Sequence, residues 1–297
     1  MLTGFFHRKQ QVELDPASRL RRDLFMRFKK HRLGYICAYI LVFLVIVALL
    51  APLIAPYDPD RIVGPFNGAP QEGHILGLDQ SGRDVFSRLI YGLGTSLKVS
   101  AAITVFSVTI GVILGLLAGY FTTWVDTIIM RIADIVMSFP YLLLVLVASA
   151  VFKPGFWSIV LILAFVNWPG VARLVRGNVL SLRVTAFVEN ARIAGFSRVR
   201  ILFREILPNT VAPLLIYASN VMAFSMLDEA ALSFLGQGIQ QPEASLGNML
   251  NAAQSANILQ RHPWLWVPQG LLIIIVVVSI NFVGDALRDA LDPTSQN

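Results

Sequence analysis

Asp228 and Glu229 stand side by side in a long apolar stretch with no cation next to them in the sequence. Ionisable side chains at membrane depth are costly, and by default they point to function. These two carboxylates could line a pathway and receive an amino group; the alternatives are a capping role or a contact with another subunit. Arg131 and Asp134 form a second charged set. Three positions apart, they can meet on one helical face and satisfy each other, which points to a structural pair. Catalytic chemistry has no comparable footing. The chain has no G-x-x-x-x-G-K-[ST] loop, and Gly236, Gln237 and Gly238 lack the rest of any phosphate-cradling pattern. H-E-x-x-H and G-x-S-x-G are absent as well. His7, His31, His74 and His262 are scattered without ligand spacing, and Cys37 stands alone, which excludes an internal disulfide. No catalytic residue, no metal site and no directly bound cofactor is expected.

The elements that position these groups are apolar spans. The chain is 56% hydrophobic and only 14% charged, with a mean hydropathy of +0.66, far from a soluble domain of 297 residues. About 20 apolar residues cross a bilayer as a helix. Six stretches qualify: 35–54, 96–120, 127–151, 157–172, 210–235 and 264–283. The fourth is short and interrupted by Asn167, Trp168 and Pro169. The first is too long for a cleaved signal peptide and follows a mostly polar segment, so it is expected to remain as an anchor. An all-α polytopic membrane protein with six transmembrane helices follows.

The net charge of +6 is a topology signal. Arg8, Lys9, Arg19, Arg21, Arg22, Arg27, Lys29, Lys30 and Arg32 precede the first span. Arg173, Arg176, Arg183, Arg192, Arg198, Arg200 and Arg204 flank or fill the loop after the fourth. Both segments fall on one side of a six-span chain, and the positive-inside rule assigns that side, with both termini, to the cytoplasm. The basic N-terminal run can also touch anionic lipid. Along the second span, Gly111, Gly115 and Gly119, preceded by Ser107, recur every four positions. Such a stripe lets two helix backbones approach closely in lipid. Its partner is either another membrane subunit or a helix of the same bundle. Pro140, Pro169, Pro213 and Pro268 each remove a backbone donor from a span and suggest kinks.

The basic loop at 186–208, AFVENARIAGFSRVRILFREILP, has the composition of a protein-docking segment. Phe187, Ala191 and Ala194 recur at helical spacing, Gly195 permits a sharp turn, and Arg198, Arg200 and Arg204 follow on a second short helical pattern. Pro208 is pre-set to open the next helix. This loop resembles the EAA loop of ABC importer permeases, through Glu189, Ala191, Gly195, Leu207 and Pro208. It departs from the pattern at Asn190 and Glu205. The segment 77–97, through Asp79, Gly82, Arg83, Asp84, Ser87, Arg88, Tyr91 and Gly92, resembles what precedes the second span in dipeptide and oligopeptide permeases, with Gly94 where arginine is frequent. EAALSFLGQG at 229–238, SLGNML at 245–250 and GDALRDALDP at 284–293 extend the resemblance over nearly the whole chain.

The resemblance implies a type I ABC importer permease of a bacterial plasma membrane, in which loop 186–208 is the coupling helix that fits a cleft of the ATPase. It also implies partners: a second, different permease, two ATPase subunits that carry ATP and Mg, and an extracytoplasmic peptide-binding protein. The expected division is a cytoplasmic tail at 1–32, the first transmembrane helix and exterior loop at 33–95, the permease core at 96–285 and a cytoplasmic tail at 286–297. Import of dipeptides or oligopeptides is the expected function, and the alternative is nickel or an oligosaccharide carried by the same architecture. An intramembrane enzyme is disfavoured by the missing nucleophile, metal and base, and a passive channel by the docking loop.

Overall fold

The structure, a computed structural model, describes residues 26–291. The basic tail up to residue 25 and the last residues, 292–297, lie outside the described part, so expectations placed there have no structural counterpart. Among the described residues, extended pairing is limited to isolated bridges such as Ile62 with Arg83. The long helices are α1 (Arg32–Leu49), α2 (Val85–Tyr120), α3 (Trp124–Ser138), α4 (Tyr141–Val151), α5 (Phe156–Leu182), α6 (Ala186–Ile193), α7 (Leu207–Phe234) and α8 (Val267–Leu291). Among the described residues, five helical runs are long and apolar enough to cross a membrane, and α3 with α4 makes a sixth if that bent pair is one span.

The bent pair corrects the expectation of one continuous helix over 127–151. α3 ends at Ser138, α4 begins at Tyr141, and their axes differ by 94°. Pro140 cannot continue the α3 hydrogen-bond ladder and pushes the preceding residue out of the helical region. Phe139 is accordingly extended, at φ −84° and ψ 145°. The other prolines act differently. Pro169 and Pro213 lie inside unbroken helices. Pro268 is the second residue of α8, where the missing N–H would have had no partner anyway, so it removes nothing from the span.

α2 and α5 form the spine. Gly111, Gly115 and Gly119 on α2 meet Val171, Val175 and Val179 on α5, which carry the same four-residue spacing and are fully buried. A methyl group built on Gly115 would lie 2.7 Å from the Ala172 carbonyl oxygen and 2.8 Å from Val175 Cβ, so the absence of side chains sets the helix separation. Of the two partners the sequence left open, the stripe is occupied by a helix of its own bundle. α5 also runs past the expected end at residue 172 to Leu182. The polar turns that hid this extension are held by α3: Arg173 Nη2 donates to Asp134 Oδ1 at 2.6 Å, and Arg176 donates to Asp126. The expected Arg131–Asp134 pair is therefore replaced by a pairing between helices.

Two ends of the bundle are distinct. At one end, here the cap face, residues 55–84 and 235–266 cover the tops of α2, α7 and α8. At the other, the loop face, lie α6, the turn at 121–123 and the start of α7.

Candidate functional site

On the loop face, α6 is tethered to α5 by residues 183–185. Thr185 Oγ1 donates to the Leu182 carbonyl at 2.5 Å, and the Glu189 N–H donates to the Thr185 carbonyl at 3.1 Å. Val188 and Ala191 turn inward to Val175, Val179, Ile201 and Leu202. That choice leaves Phe187, Glu189, Asn190 and Ile193 outward, with Ile193 80% exposed.

The helix ends in a Schellman motif. The Phe196 N–H donates to the Ala191 carbonyl at 3.1 Å and the Gly195 N–H to the Arg192 carbonyl at 3.0 Å. This closure needs a left-handed residue, and Gly195 supplies it at φ +78° with no atom within 4 Å of a side chain placed there. The chain then reverses. Ser197 Oγ accepts from the Arg200 N–H at 3.3 Å, and the Arg200 guanidinium sits 3.8 Å over the Phe196 ring.

The five residues that carried the loop resemblance divide by position. Glu189 and Gly195 are exposed, whereas Ala191 is buried and Leu207 packs inside the bundle. Pro208 does not open a helix out of a loop. It lies inside the continuous helical run Arg198–Phe234, two residues past the end of a π-helical turn, Ile201–Ile206. A proline ring collides with the carbonyl four residues back in a regular helix. The wider turn relieves this: the Leu207 N–H reaches back to the Leu202 carbonyl, and Asn209 Nδ2 caps the Glu205 carbonyl at 2.6 Å. Between α6 and the end of α2 lies an open cleft of about 600 Å³, lined by Arg192, Arg198, Phe196 and residues 120–123.

The two acids on α7 separate by role. Glu229 is fully buried and accepts from Ser96 Oγ at 2.9 Å and Ser233 Oγ at 2.8 Å, while Ser96 Oγ also accepts from the Leu246 N–H at 3.1 Å. It fastens α2, α7 and the helix Leu246–Leu250 together, so the pathway expectation fails for Glu229: its oxygens are sealed inside the bundle. Asp228, one position earlier, points elsewhere and accepts from the Tyr141 hydroxyl at the start of α4. Tyr141 and Ser96 did not stand out in the sequence, because nothing local links them to positions 228 and 229, whereas Ser233 lies one helical turn from Glu229.

The cap face holds a polar network. Arg83 Nε donates to Asp79 Oδ2 at 2.8 Å and Arg83 Nη2 to Gln241 Oε1 at 2.9 Å. Arg88 Nη1 donates to the carbonyls of Pro59 and Pro242, and Asp84 caps α2 through the Ser87 N–H at 2.8 Å while holding His74. Arg83, Asp84 and Arg88 are all buried, so these charges brace the loops against α2.

Comparison with known proteins follows the same lines. A protein-family model described as the binding-protein-dependent transport system inner membrane component matches residues 111–296, and one described as the N-terminal TM domain of oligopeptide transport permease C matches residues 19–70. The dipeptide transport system permease protein DppC of Alkalihalophilus pseudofirmus is 37% identical over 278 residues, 92% of this chain and 89% of its own. The glutathione transport system permease protein GsiD of Pectobacterium atrosepticum is 37% identical over 274 residues, 92% and 90% of the two chains. Among solved structures, an inward-facing MetNI methionine ABC transporter covers 69% of this chain and 97% of its own at a TM-score of 0.58 and 20% identity, a likeness of fold.

Proposed function

This chain belongs to the family of binding-protein-dependent transport system inner membrane components, and from that premise we propose that it is the permease subunit through which a short peptide is imported and through which ATP hydrolysis in a separate subunit is converted into helix motion. The observation that carries the reading is α6: a short helix whose inner face is fixed to the bundle by Val188 and Ala191 while its outer face offers Phe187, Glu189 and Ile193 to a partner. A pore that opens without an energy source has no use for such a surface.

In this reading the loop face is cytoplasmic, as the arginine distribution suggests, and meets two ATPase subunits that carry the ATP and Mg. The cap face is extracytoplasmic and receives a peptide-binding protein. A second, different permease completes the pathway. The dipeptide and glutathione transporters among the relatives favour short peptides over nickel or an oligosaccharide. Peptide recognition would rest mainly with the binding protein, leaving this chain few substrate-specific side chains.

The test is a Gly195 series, with uptake of a labelled dipeptide and ATPase co-purification compared at matched membrane levels. No atom crowds the site, so the penalty comes from backbone conformation, about 1 kcal/mol for a residue that disfavours positive φ. Gly195→Asn, which tolerates that conformation, should keep most uptake. Gly195→Leu should lower uptake and ATPase retention together while still inserting. Normal transport by Gly195→Leu with its ATPases retained would overturn the coupling assignment.

A further inference from the structure

The loop face contains a connection that the coupling surface does not use directly. α6 is joined to α5 by residues 183–185, and its buried Val188 and Ala191 pack on Val175 and Val179 in the last turns of α5. A displacement of α6 therefore loads the end of α5 first. From the same stretch of α5, Arg176 reaches the opposite way and makes a bidentate pair with Asp126: Nε and Nη2 donate to Oδ1 and Oδ2, each at 2.6 Å. Planar two-point pairing of this kind fixes orientation as well as distance. Asp126 lies in the first turn of α3, where a carboxylate also suits the helix N-terminus. Nearby, Arg183 Nη1 donates to Thr122 Oγ1 at 2.9 Å.

The start of α3 has little else to hold it. Residues 121–123 border the open cleft towards α6, and Trp124, Ile128, Ile132 and Ile135 face outward. The next anchors are Ile129 and Met130, about one turn on, which pack with Ala133 against Trp168 and Ala172, and then Asp134, which accepts from Arg173. Beyond them, α3 bends into α4, whose Tyr141 holds Asp228 on α7.

We infer that Asp126 and Arg176 are positioning residues for transport: their pair makes α3, and through the Pro140 bend α4, follow α5 when the partner ATPase moves α6. This role requires no contact of the pair with solute or ATPase. Its role rests on the coupling reading above, and it adds a defined route by which one helix end drives a second.

The experiment uses the whole complex in proteoliposomes with its binding protein, and measures both ATP hydrolysed and labelled dialanine accumulated. Asp126→Asn should leave assembly and ATP hydrolysis near wild type and lower dialanine moved per ATP by roughly tenfold, within the range that mutations in coupling networks produce. The charge swap, Asp126→Arg with Arg176→Asp, should regain a substantial part of the ratio. A wild-type ratio in Asp126→Asn would overturn the proposal, as would a parallel fall of transport and hydrolysis, which marks simple destabilisation. Gly195→Leu run alongside separates the two readings. If its ATPase retention falls while Asp126→Asn stays coupled, only the positioning role fails; if it transports normally, the coupling surface itself is wrong.

Discussion

The Tyr141 hydroxyl donates to the Asp228 carboxylate and so joins the first turn of α4 to the cap-side half of α7. Both helices belong to a bundle held by packing, in which a side-chain hydrogen bond across helices contributes roughly 0.6 kcal/mol and at most about 1.7. Tyr141→Phe should lower the thermal stability of the purified complex by that order. Asp228→Asn should cost less in a Tyr141→Phe background than alone, because the tyrosine has already been lost. A double-mutant cycle of thermal unfolding checks this, and a coupling energy indistinguishable from zero would mean that the bond contributes nothing to holding α4 on α7.

Glu229 is expected to behave as a fastener. Glu229→Gln keeps one acceptor for Ser96 or Ser233, whereas Glu229→Leu leaves buried hydroxyls unpaired at about 1–3 kcal/mol each. The leucine variant should therefore accumulate poorly in the membrane. The glutamine variant should import the same solutes as wild type at a similar KM. A changed solute preference in Glu229→Gln would return this carboxylate to the pathway.

The α2–α5 spine predicts a graded response at Gly115. Gly115→Ala meets the Ala172 carbonyl and Val175, and overpacking of this kind costs about 1–3 kcal/mol. Val175→Ala removes only the Cγ1 contact at 3.1 Å and keeps Cβ at 2.8 Å, so it should recover little of the loss, while Gly115→Val should not reach the membrane in folded form. Thermal stability in detergent, read by fluorescence-detected chromatography, distinguishes these cases. Equal tolerance of alanine and valine would show that the helices separate at little cost.

Much of this architecture was legible from periodicity. The four-residue glycine stripe, the apolar spans and the helix–glycine–helix pattern of residues 186–200 depend on neighbours in sequence, so the sequence carries them. The matching Val171, Val175 and Val179 were equally visible, but a valine row reads as ordinary apolar surface until its partner is known. The start of α2 was placed at Ser96 because hydropathy falls there; the helix begins at Val85, and Asp84 followed by Ser87 is the capping signal that marks it. The pairing of Asp134 with Arg173 and the sealing of Glu229 were not legible. Each depends on which helices pack together, and local spacing offered Arg131 as a nearer but incorrect partner.

α2 is 36 residues long, about 54 Å at the helical rise, against roughly 30 Å of hydrocarbon. Its first turns lie inside the Arg83–Arg88 network of the cap, and its last residue borders the cleft beside α6. Such a rod has no separate inside and outside parts. If it pivots near its middle by about 5°, each end swings by about 2 Å in opposite directions, so the seat offered to a partner on one face is reshaped in the same instant as the seat on the other. Occupancy of either face is then sensed at the far one through geometry alone, without any signal that must pass from side chain to side chain across the membrane.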